Sequence, residues 1–141
     1  MFTIYHDLTI QAEVSKVFEA VAIPEHLNNW WTKESSGIPA LGNIYRLFFS
    51  EAYDWDAEVT ICITNEHFEL TMTKADSDWT PTKFGFILHG ENGKTQVQFY
   101  HTNWQSTNHH YRRTNFCWAL LLQGLKQYVE SNIIIPFEQR N

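Results

Sequence analysis

Hydrophobic positions at the start of the chain predict a strand followed by two short helices. Residues 3–10 alternate well enough between apolar and polar side chains to form a strand. The next segment is typical of an amphipathic helix, because four apolar side chains follow at i, i+3, i+4 and i+7: Val14, Val17, Phe18 and Val21. Pro24 favours the first turn of a second short helix, which would carry Leu27, Trp30 and Trp31 on one side.

From Gly42 to about Trp104 the period of the hydrophobic positions becomes two, which predicts β-strands. Turn signals separate these strands at hairpin spacing, and Asn92 with Gly93 forms the strongest hairpin signal in the chain. Consecutive antiparallel pairing is therefore the simplest topology. The five strand candidates are NIYRLFF, DAEVTICIT, HFELTMTK, TKFGFILHG and KTQVQFYHT.

The C-terminal part of the chain returns to helical spacing, with Ser106 or Thr107 as a suitable N-cap. One apolar stripe runs along this helix: Tyr111, Thr114, Trp118, Leu121, Leu122, Leu125 and Val129. Gly124 costs such a helix about 1 kcal/mol relative to alanine, so we expect the two short helices to approach closely there. Together the elements predict an α+β fold, in which an antiparallel sheet of about six or seven strands packs against a long C-terminal helix.

The composition is rich in aromatic residues and has more acidic than basic side chains. At 141 residues the chain can bury a core without a disulfide or a metal, and we expect one domain over residues 1–141. Six tryptophans and ten phenylalanines suggest that some rings line a concave site. The net charge of -6 argues against nucleic acid as a partner, because that partner requires a basic face. Cys62 and Cys117 lie in apolar segments, where a thiol usually acts as a small buried hydrophobic group.

Patterns for membrane insertion, secretion and cofactor binding are missing from the sequence. No window approaches 18 consecutive apolar residues, and the first ten residues lack the pattern of a secretion signal, so we expect a cytoplasmic protein without membrane insertion. No nucleotide or zinc motif is present. The acidic triple of Asp54, Asp56 and Glu58 is interpreted as a solvated outer strand face, so we expect neither a cofactor nor a metal.

Three blocks of the sequence resemble a known family. They are residues 17–32 (VFEAVAIPEHLNNWWT), residues 95–104 (TQVQFYHTNW) and residues 117–137 (CWALLLQGLKQYVESNIIIPF). In order and spacing they are similar to the bacterial homologues of the activator of heat-shock-protein-90 ATPase, within the START-like (SRPBCC) superfamily. The resemblance implies a helix-grip fold: a curved antiparallel sheet around a long C-terminal helix, two short helices after the first strand, and a deep cavity for apolar molecules.

One position departs from the family pattern. Asn103 stands in the HTNW segment where relatives usually have glycine, and a larger polar side chain there is expected to narrow or polarise one end of the cavity. The ligand of a relative therefore does not transfer to this chain. Fold alone does not fix function either, because relatives with this fold range from carriers to cyclases.

Strand parity separates expected cavity walls from the outer surface, since residues i and i+2 share a face. In the segment TQVQFYHTNW we therefore expect Val97, Phe99, His101 and Asn103 to face the long helix. In TKFGFILHG we expect the same of Phe84, Phe86 and Leu88, with His89 on the outer face. The same argument turns Trp55, Ala57, Val59 and Ile61 inward. On the short helix we expect Trp30 in the core and Trp31 overhanging the opening. The predicted ligand-binding residues are Trp30, Trp31, Trp55, Phe84, Phe86, Phe99, His101, Asn103, Trp118 and Leu122.

Three functions remain open from the sequence. We favour a protein that binds a small apolar or aromatic molecule between the sheet and the long helix, because no paired acid and base is visible. The second is a cyclase or aromatase-type enzyme that uses His101, whose unperturbed pKa lies near 6.5; the simpler interpretation is a histidine bonded to the long helix. The third is stimulation of a chaperone ATPase, as the family name suggests, although nothing else in the residues supports a chaperone partner.

Overall fold

Seven strands form one antiparallel sheet in the order β1-β7-β6-β5-β4-β3-β2, so only β1 and β7 pair across a long connection. The computed structural model describes residues 1–140. The strands are β1 (Phe2–Ile10), β2 (Glu34–Ser36), β3 (Ile44–Ser50), β4 (Tyr53–Ile63), β5 (His67–Lys74), β6 (Lys83–Glu91) and β7 (Lys94–Trp104). The predicted strand segments and their consecutive pairing are confirmed. The additional strand β2 is three polar residues long and carries no alternation that could have predicted it.

In the described part of the chain, three α-helices accompany the sheet: α1 (Val14–Ala22), α2 (Pro24–Leu27) and α3 (His109–Ser131). A short 3-10 helix (Phe137–Gln139) follows in the C-terminal tail. This arrangement is the expected α+β helix-grip fold. No helix within residues 1–140 is long and apolar enough to span a bilayer.

The long helix α3 begins one residue later than an N-cap at Thr107 would place it, and two residues later than one at Ser106. Asn108 is the N-cap, and its side-chain oxygen accepts the backbone N–H of Tyr111 at 2.9 Å. At the other end Asn132 adopts the left-handed conformation at φ 54° and ends the helix.

The core fills the space between α3, α1 and the concave face of the sheet. Phe84, Phe86 and Leu88 are buried there, and His89 is exposed, as parity predicts. On β4 the register shifts between Val59 and Ile61, so Cys62 rather than Ile61 packs against the core. The predicted inward position of Ile61 is therefore wrong.

A bulge near the end of β7 changes which side chain enters the core. Ile4 pairs with His101 and Phe2 with Trp104, so β7 has one residue more than β1 between the paired positions. Asn103 takes the left-handed conformation at φ 71°, which few residues other than glycine and asparagine adopt. Trp104 is buried instead, 1% exposed, and the parity prediction for Asn103 is wrong. Glycine adopts this conformation without strain, which agrees with the glycine that the family resemblance implies at this position.

Candidate functional site

Trp30 and Trp31 lie just beyond α2, which is shorter than predicted. Their backbone N–H groups donate to the carbonyl of Leu27 at 3.3 and 2.8 Å, so a tight turn continues from the helix. The Trp30 indole N–H donates to the carbonyl of Ala20 at 2.9 Å, which fixes Trp30 in the core as expected. Trp31 is only 5% exposed and packs against Phe84 at a ring-centroid distance of 5.2 Å. It forms part of an internal wall, so the prediction that it overhangs the opening is wrong.

A cavity of about 550 Å³ lies between the N-terminal half of α3, the β3–β4 hairpin, the β5–β6 connection and the C-terminal tail. This volume falls within the range of known small-molecule pockets. Its aromatic walls are Trp31, Phe49, Tyr53, Trp55, Trp79, Trp118 and Phe137. Tyr53 is 48% exposed, and the cavity therefore reaches the protein surface on that side.

Five of these side chains form a closed cycle of neighbouring rings. Successive centroid distances are 4.8 Å from Trp55 to Trp79, 6.3 Å from Trp79 to Trp118 and 5.2 Å from Trp118 to Trp31. The cycle closes through Phe49, at 5.4 Å from both Trp31 and Trp55. We call this set the aromatic ring wall. Because each ring supports the next, the wall is held in shape before any ligand arrives.

Polar side chains lie mainly on the α3 side of the cavity and in the tail. The N-terminal half of α3 contributes His110, Arg113, Thr114 and Cys117, and the other polar members are Asp76, Glu138 and Arg140. His110 lies 3.2 Å from the Asp78 carboxylate. Asp76 uses its backbone carbonyl to accept the N–H groups of Trp79 and Thr80, which closes the turn after β5.

Arg140 fastens the tail beside the cavity. Its guanidinium donates to the carbonyls of Ile135 at 2.8 Å, Asn28 at 2.9 Å and Thr32 at 3.1 Å. Burial lowers the pKa of this group, and Glu138 opposes that shift. Three backbone acceptors therefore occupy the guanidinium, and they hold Phe137 and Glu138 at the cavity edge.

His101 lies behind the cavity and is fully buried. Its Nδ1 accepts the indole N–H of Trp118 at 3.0 Å, so the ring proton sits on Nε2, which donates to the Thr82 hydroxyl at 2.8 Å. The Thr82 hydroxyl in turn donates to the carbonyl of Trp79. Burial, with a smaller effect from His110, lowers the pKa of His101 to about 3. The bond to the long helix confirms the simpler interpretation of this histidine, which stays neutral and does not reach the cavity.

The predicted ligand-binding residues divide into two groups in the structure. Trp31, Trp55 and Trp118 line the cavity. The other seven are absent from its lining, and most of them fill the core where α3 lies directly on the sheet: Trp30, Phe84, Phe86, Phe99, His101, Asn103 and Leu122. The cavity is thus displaced from the centre of the sheet toward the start of α3. Asn103 neither narrows nor polarises it, contrary to expectation.

Sequence reasoning missed several cavity residues because they lie outside periodic segments. Trp79 follows β5 in a polar connection, and Phe137 belongs to the tail. Phe49 and Tyr53 flank the β3–β4 turn, where alternation stops. The available signal was a large ring in a polar, proline-containing loop, DSDWTP, where solvation alone does not explain a tryptophan.

Two buried indole N–H groups have no acceptor within residues 1–140, those of Trp79 and Trp104. Both rings pack against His101, at centroid distances of 4.6 and 4.9 Å. Because neither nitrogen is accessible to solvent, neither can bind a ligand in this geometry. Other donors on the cavity lining include the Tyr53 hydroxyl and the polar groups of α3.

A second polar cluster lies on the outer face of the sheet. Tyr100 donates its hydroxyl proton to Glu69, which is 6% exposed, and His67 Nε2 donates to the same hydroxyl at 2.8 Å. Thr60 donates to the other carboxylate oxygen of Glu69 at 2.6 Å. Burial and then Glu69 raise the pKa of Tyr100 above its usual value. These contacts join β4, β5 and β7, and we assign the cluster a structural role.

Metal-ligating side chains do not converge in the described part of the chain, where no group of three or more His, Cys, Asp or Glu residues comes together. Asp54 of the acidic triple pairs through both oxygens with Arg46 at 2.9 Å. That pairing lowers the pKa of Asp54. No disulfide joins Cys62 to Cys117.

Comparisons with known proteins agree with this architecture. A family model described as activator of Hsp90 ATPase homolog 1-like protein matches residues 11–130. The solution structure of the Aha1 dimer from Colwellia psychrerythraea is 29% identical, covers 93% of this chain and 98% of its own, and has a TM-score of 0.83.

Two further solved structures share the fold at lower identity. Protein MLL2253 from Mesorhizobium loti is 17% identical, with coverage of 94% and 100% and a TM-score of 0.82. Protein SSP2350 from Staphylococcus saprophyticus is 18% identical, with coverage of 95% and 96% and a TM-score of 0.79. No curated protein sequence matches the chain.

Proposed function

The chain belongs to the family of activator of Hsp90 ATPase homolog 1-like proteins, and on that premise we propose that it binds a small apolar or aromatic molecule in the cavity enclosed by the aromatic ring wall. The fold is typical of ligand-binding and of polyketide cyclase-like proteins. Fold alone does not decide between these functions, so the proposal depends on the site.

One observation carries the proposal. Five large rings in mutual contact border a cavity of about 550 Å³ instead of collapsing into it. Contact between apolar walls and water is unfavourable. A ligand that covers these walls would gain roughly 25 cal/mol of binding free energy for each Å² of apolar surface removed from water. Planar apolar ligands gain most from such walls, because they can stack on the rings or meet their edges.

The cyclase hypothesis has no support at the residue on which it rested. General acid-base catalysis requires a group within hydrogen-bond reach of the substrate and with a pKa near the working pH. His101 is enclosed, both of its ring nitrogens are bonded, and burial holds its pKa at about 3. Binding is therefore the function we propose.

Isothermal titration with 2-naphthylmethanol, a neutral planar arene, tests the proposal. We expect saturable binding by the wild-type protein and its loss in Cys117→Trp, because Cys117 lines the cavity and a larger ring there fills the space. Ala119→Trp is the matched control: it adds the same side chain two residues away, at an exposed position of α3. Circular dichroism verifies that both variants fold.

Unchanged affinity in Cys117→Trp would place any binding outside the cavity. Absence of heat for the wild-type protein, together with no retained small molecule in native mass spectrometry, would refute a binding role for this class of ligand. In that case the family name directs the search toward protein partners.

A further inference from the structure

Arg113 occupies the part of α3 that faces the cavity. The cavity-lining residues of the helix recur at i, i+3, i+4, i+7, i+8 and i+11: His110, Arg113, Thr114, Cys117, Trp118 and Leu121. These positions fall on one side of an α-helix. The neighbouring Arg112 lies about 100° away around the helix and does not line the cavity.

The charge of Arg113 forms no ion pair within the described residues. Its guanidinium has no carboxylate partner and no hydrogen-bond acceptor within residues 1–140, although the chain carries 16 acidic residues. The first turn of α3 contains no acidic residue that could neutralise it. Arg113 therefore presents an unpaired cation at the edge of an apolar cavity.

Other charged groups around the cavity have roles within the fold. The Arg140 guanidinium is committed to three backbone carbonyls. Glu138 is an exposed acid in the first turn of the 3-10 helix, where a negative charge is favourable. Asp76 opens the turn after β5, a position that aspartate commonly occupies. Arg113, which is exposed on α3, makes no contact of this kind within residues 1–140.

The aromatic ring wall does not form a cage for a cationic group. A cage requires rings that stand apart with the cation between them. Here Trp55 contacts Trp79 at 4.8 Å and Phe49 at 5.4 Å, so no space for an ammonium group separates these rings. The rings form a continuous surface for a planar body, and the ligand's charged group must lie toward α3.

We propose that the ligand is a planar aromatic carboxylic acid, whose ring system rests on the aromatic ring wall while its carboxylate pairs with Arg113. The proposal rests on the proposed function and specifies its ligand class. Guanidinium matches the two oxygens of a carboxylate in a bidentate pair, which gives both attraction and orientation. Arg113 is then a specificity-determining residue.

The test compares three probes that share one ring system: 2-naphthoate, 2-naphthylmethanol and 2-naphthylmethylammonium. Their dissociation constants are measured by isothermal titration at fixed pH and salt. We expect 2-naphthoate to bind about tenfold more tightly than 2-naphthylmethanol, the effect of one good charge-assisted pair. In Arg113→Gln this ratio should fall to about one, with the affinity for the alcohol changed by less than about twofold. Arg112→Gln, which loses the same charge outside the cavity, should keep the tenfold ratio.

Several results would overturn the proposal. Equal binding of acid and alcohol by the wild-type protein refutes Arg113 selectivity and leaves the proposed function intact. A preference for the acid that survives in Arg113→Gln refutes the pairing. Tightest binding of the ammonium probe, lost in Asp76→Asn, assigns selectivity to the acidic side of the cavity instead. If neither 2-naphthoate nor 2-naphthylmethanol binds the wild-type protein, both the ligand class and the proposed function are refuted.

Discussion

His101 joins three parts of the chain through its two ring nitrogens. It bonds Trp118 of α3 through one nitrogen and Thr82, just before β6, through the other, and the Thr82 hydroxyl donates to the carbonyl of Trp79. Trp79 and Trp118 are members of the aromatic ring wall. The histidine therefore supports the cavity from behind, and we infer that its importance lies in positioning these rings.

A pH dependence of stability follows from this burial. His101 has a pKa of about 3 in the folded protein and about 6.5 when unfolded. Between these values the unfolded chain binds one more proton, so stability falls as the pH falls below about 6.5. From pH 7 to pH 5 we expect His101 to lower the free energy of unfolding by about 2 kcal/mol. The lowered pKa of His67, due first to burial, acts in the same direction.

Urea denaturation at pH 7 and pH 5 measures this effect. At pH 7 the His101→Gln variant should be less stable than the wild-type protein. Between pH 7 and pH 5 it should lose much less stability than the wild-type protein does, since the titrating group is gone. His89→Gln, at an exposed position on β6, should keep the wild-type difference. An equal loss in wild type and His101→Gln would show that another group is responsible.

Single residues also show where the hydrophobic pattern stops predicting which side chains face the core. Alternation correctly turned Phe84, Phe86 and Phe99 toward the core. It failed beyond His101, because one extra residue in β7 reverses parity and a bulge leaves no trace in a hydrophobic pattern. The available signal was an asparagine where the family resemblance implies glycine, because both residues tolerate a left-handed backbone.

Most of the secondary-structure elements were predictable because each buries one face, whereas the short polar strand β2 was not. β5 was predicted with its observed bounds, and α3 was recognised from its apolar stripe. The position of the tail after α3 was not predictable, since residues 132–140 have no hydrophobic period and the tail is held by the Arg140 contacts with three carbonyls. Those contacts bridge residues far apart in sequence, which local patterns do not encode.

Gly124 in α3 gives a prediction about helix stability. A close approach of the two short helices was expected to require this glycine, but a Cβ there would meet only Ile135 Cδ1, at 3.9 Å. The expectation is wrong, and the glycine costs the helix conformational entropy without a steric reason. We expect Gly124→Ala to raise the free energy of unfolding by about 1 kcal/mol.

Gly85 in β6 is the contrasting position. A Cβ there would lie 2.5 Å from the Tyr100 hydroxyl and 2.9 Å from the backbone carbonyl of Phe68. Gly85→Ala should therefore lower stability, and urea denaturation of both variants compares the two effects. A destabilised Gly124→Ala protein would mean that α3 packs more tightly at this point than the structure indicates.

For the molecule as a whole, resemblance and pattern predicted the helix-grip fold, but they did not predict where the space between the sheet and α3 lies. Residues expected to form the walls, including Phe86, Phe99 and Leu122, instead fill the core, because α3 lies directly on that part of the sheet. The cavity of about 550 Å³ lies instead near the start of α3, beside the β3–β4 hairpin. Which part of a curved sheet a helix covers depends on packing across many elements, and the sequence periods alone do not determine it.

The six tryptophans provide a direct test of a ligand in this cavity. Trp31, Trp55, Trp79 and Trp118 line it, whereas Trp30 and Trp104 do not. The measurement is isotope-filtered nuclear Overhauser spectroscopy of the protein with 2-naphthylmethanol, with assigned indole protons. We predict contacts from the naphthyl protons to rings of the lining group and none to Trp30 or Trp104. Contacts confined to Trp30 or Trp104, or bound probe without contact to any lining tryptophan, would contradict the account.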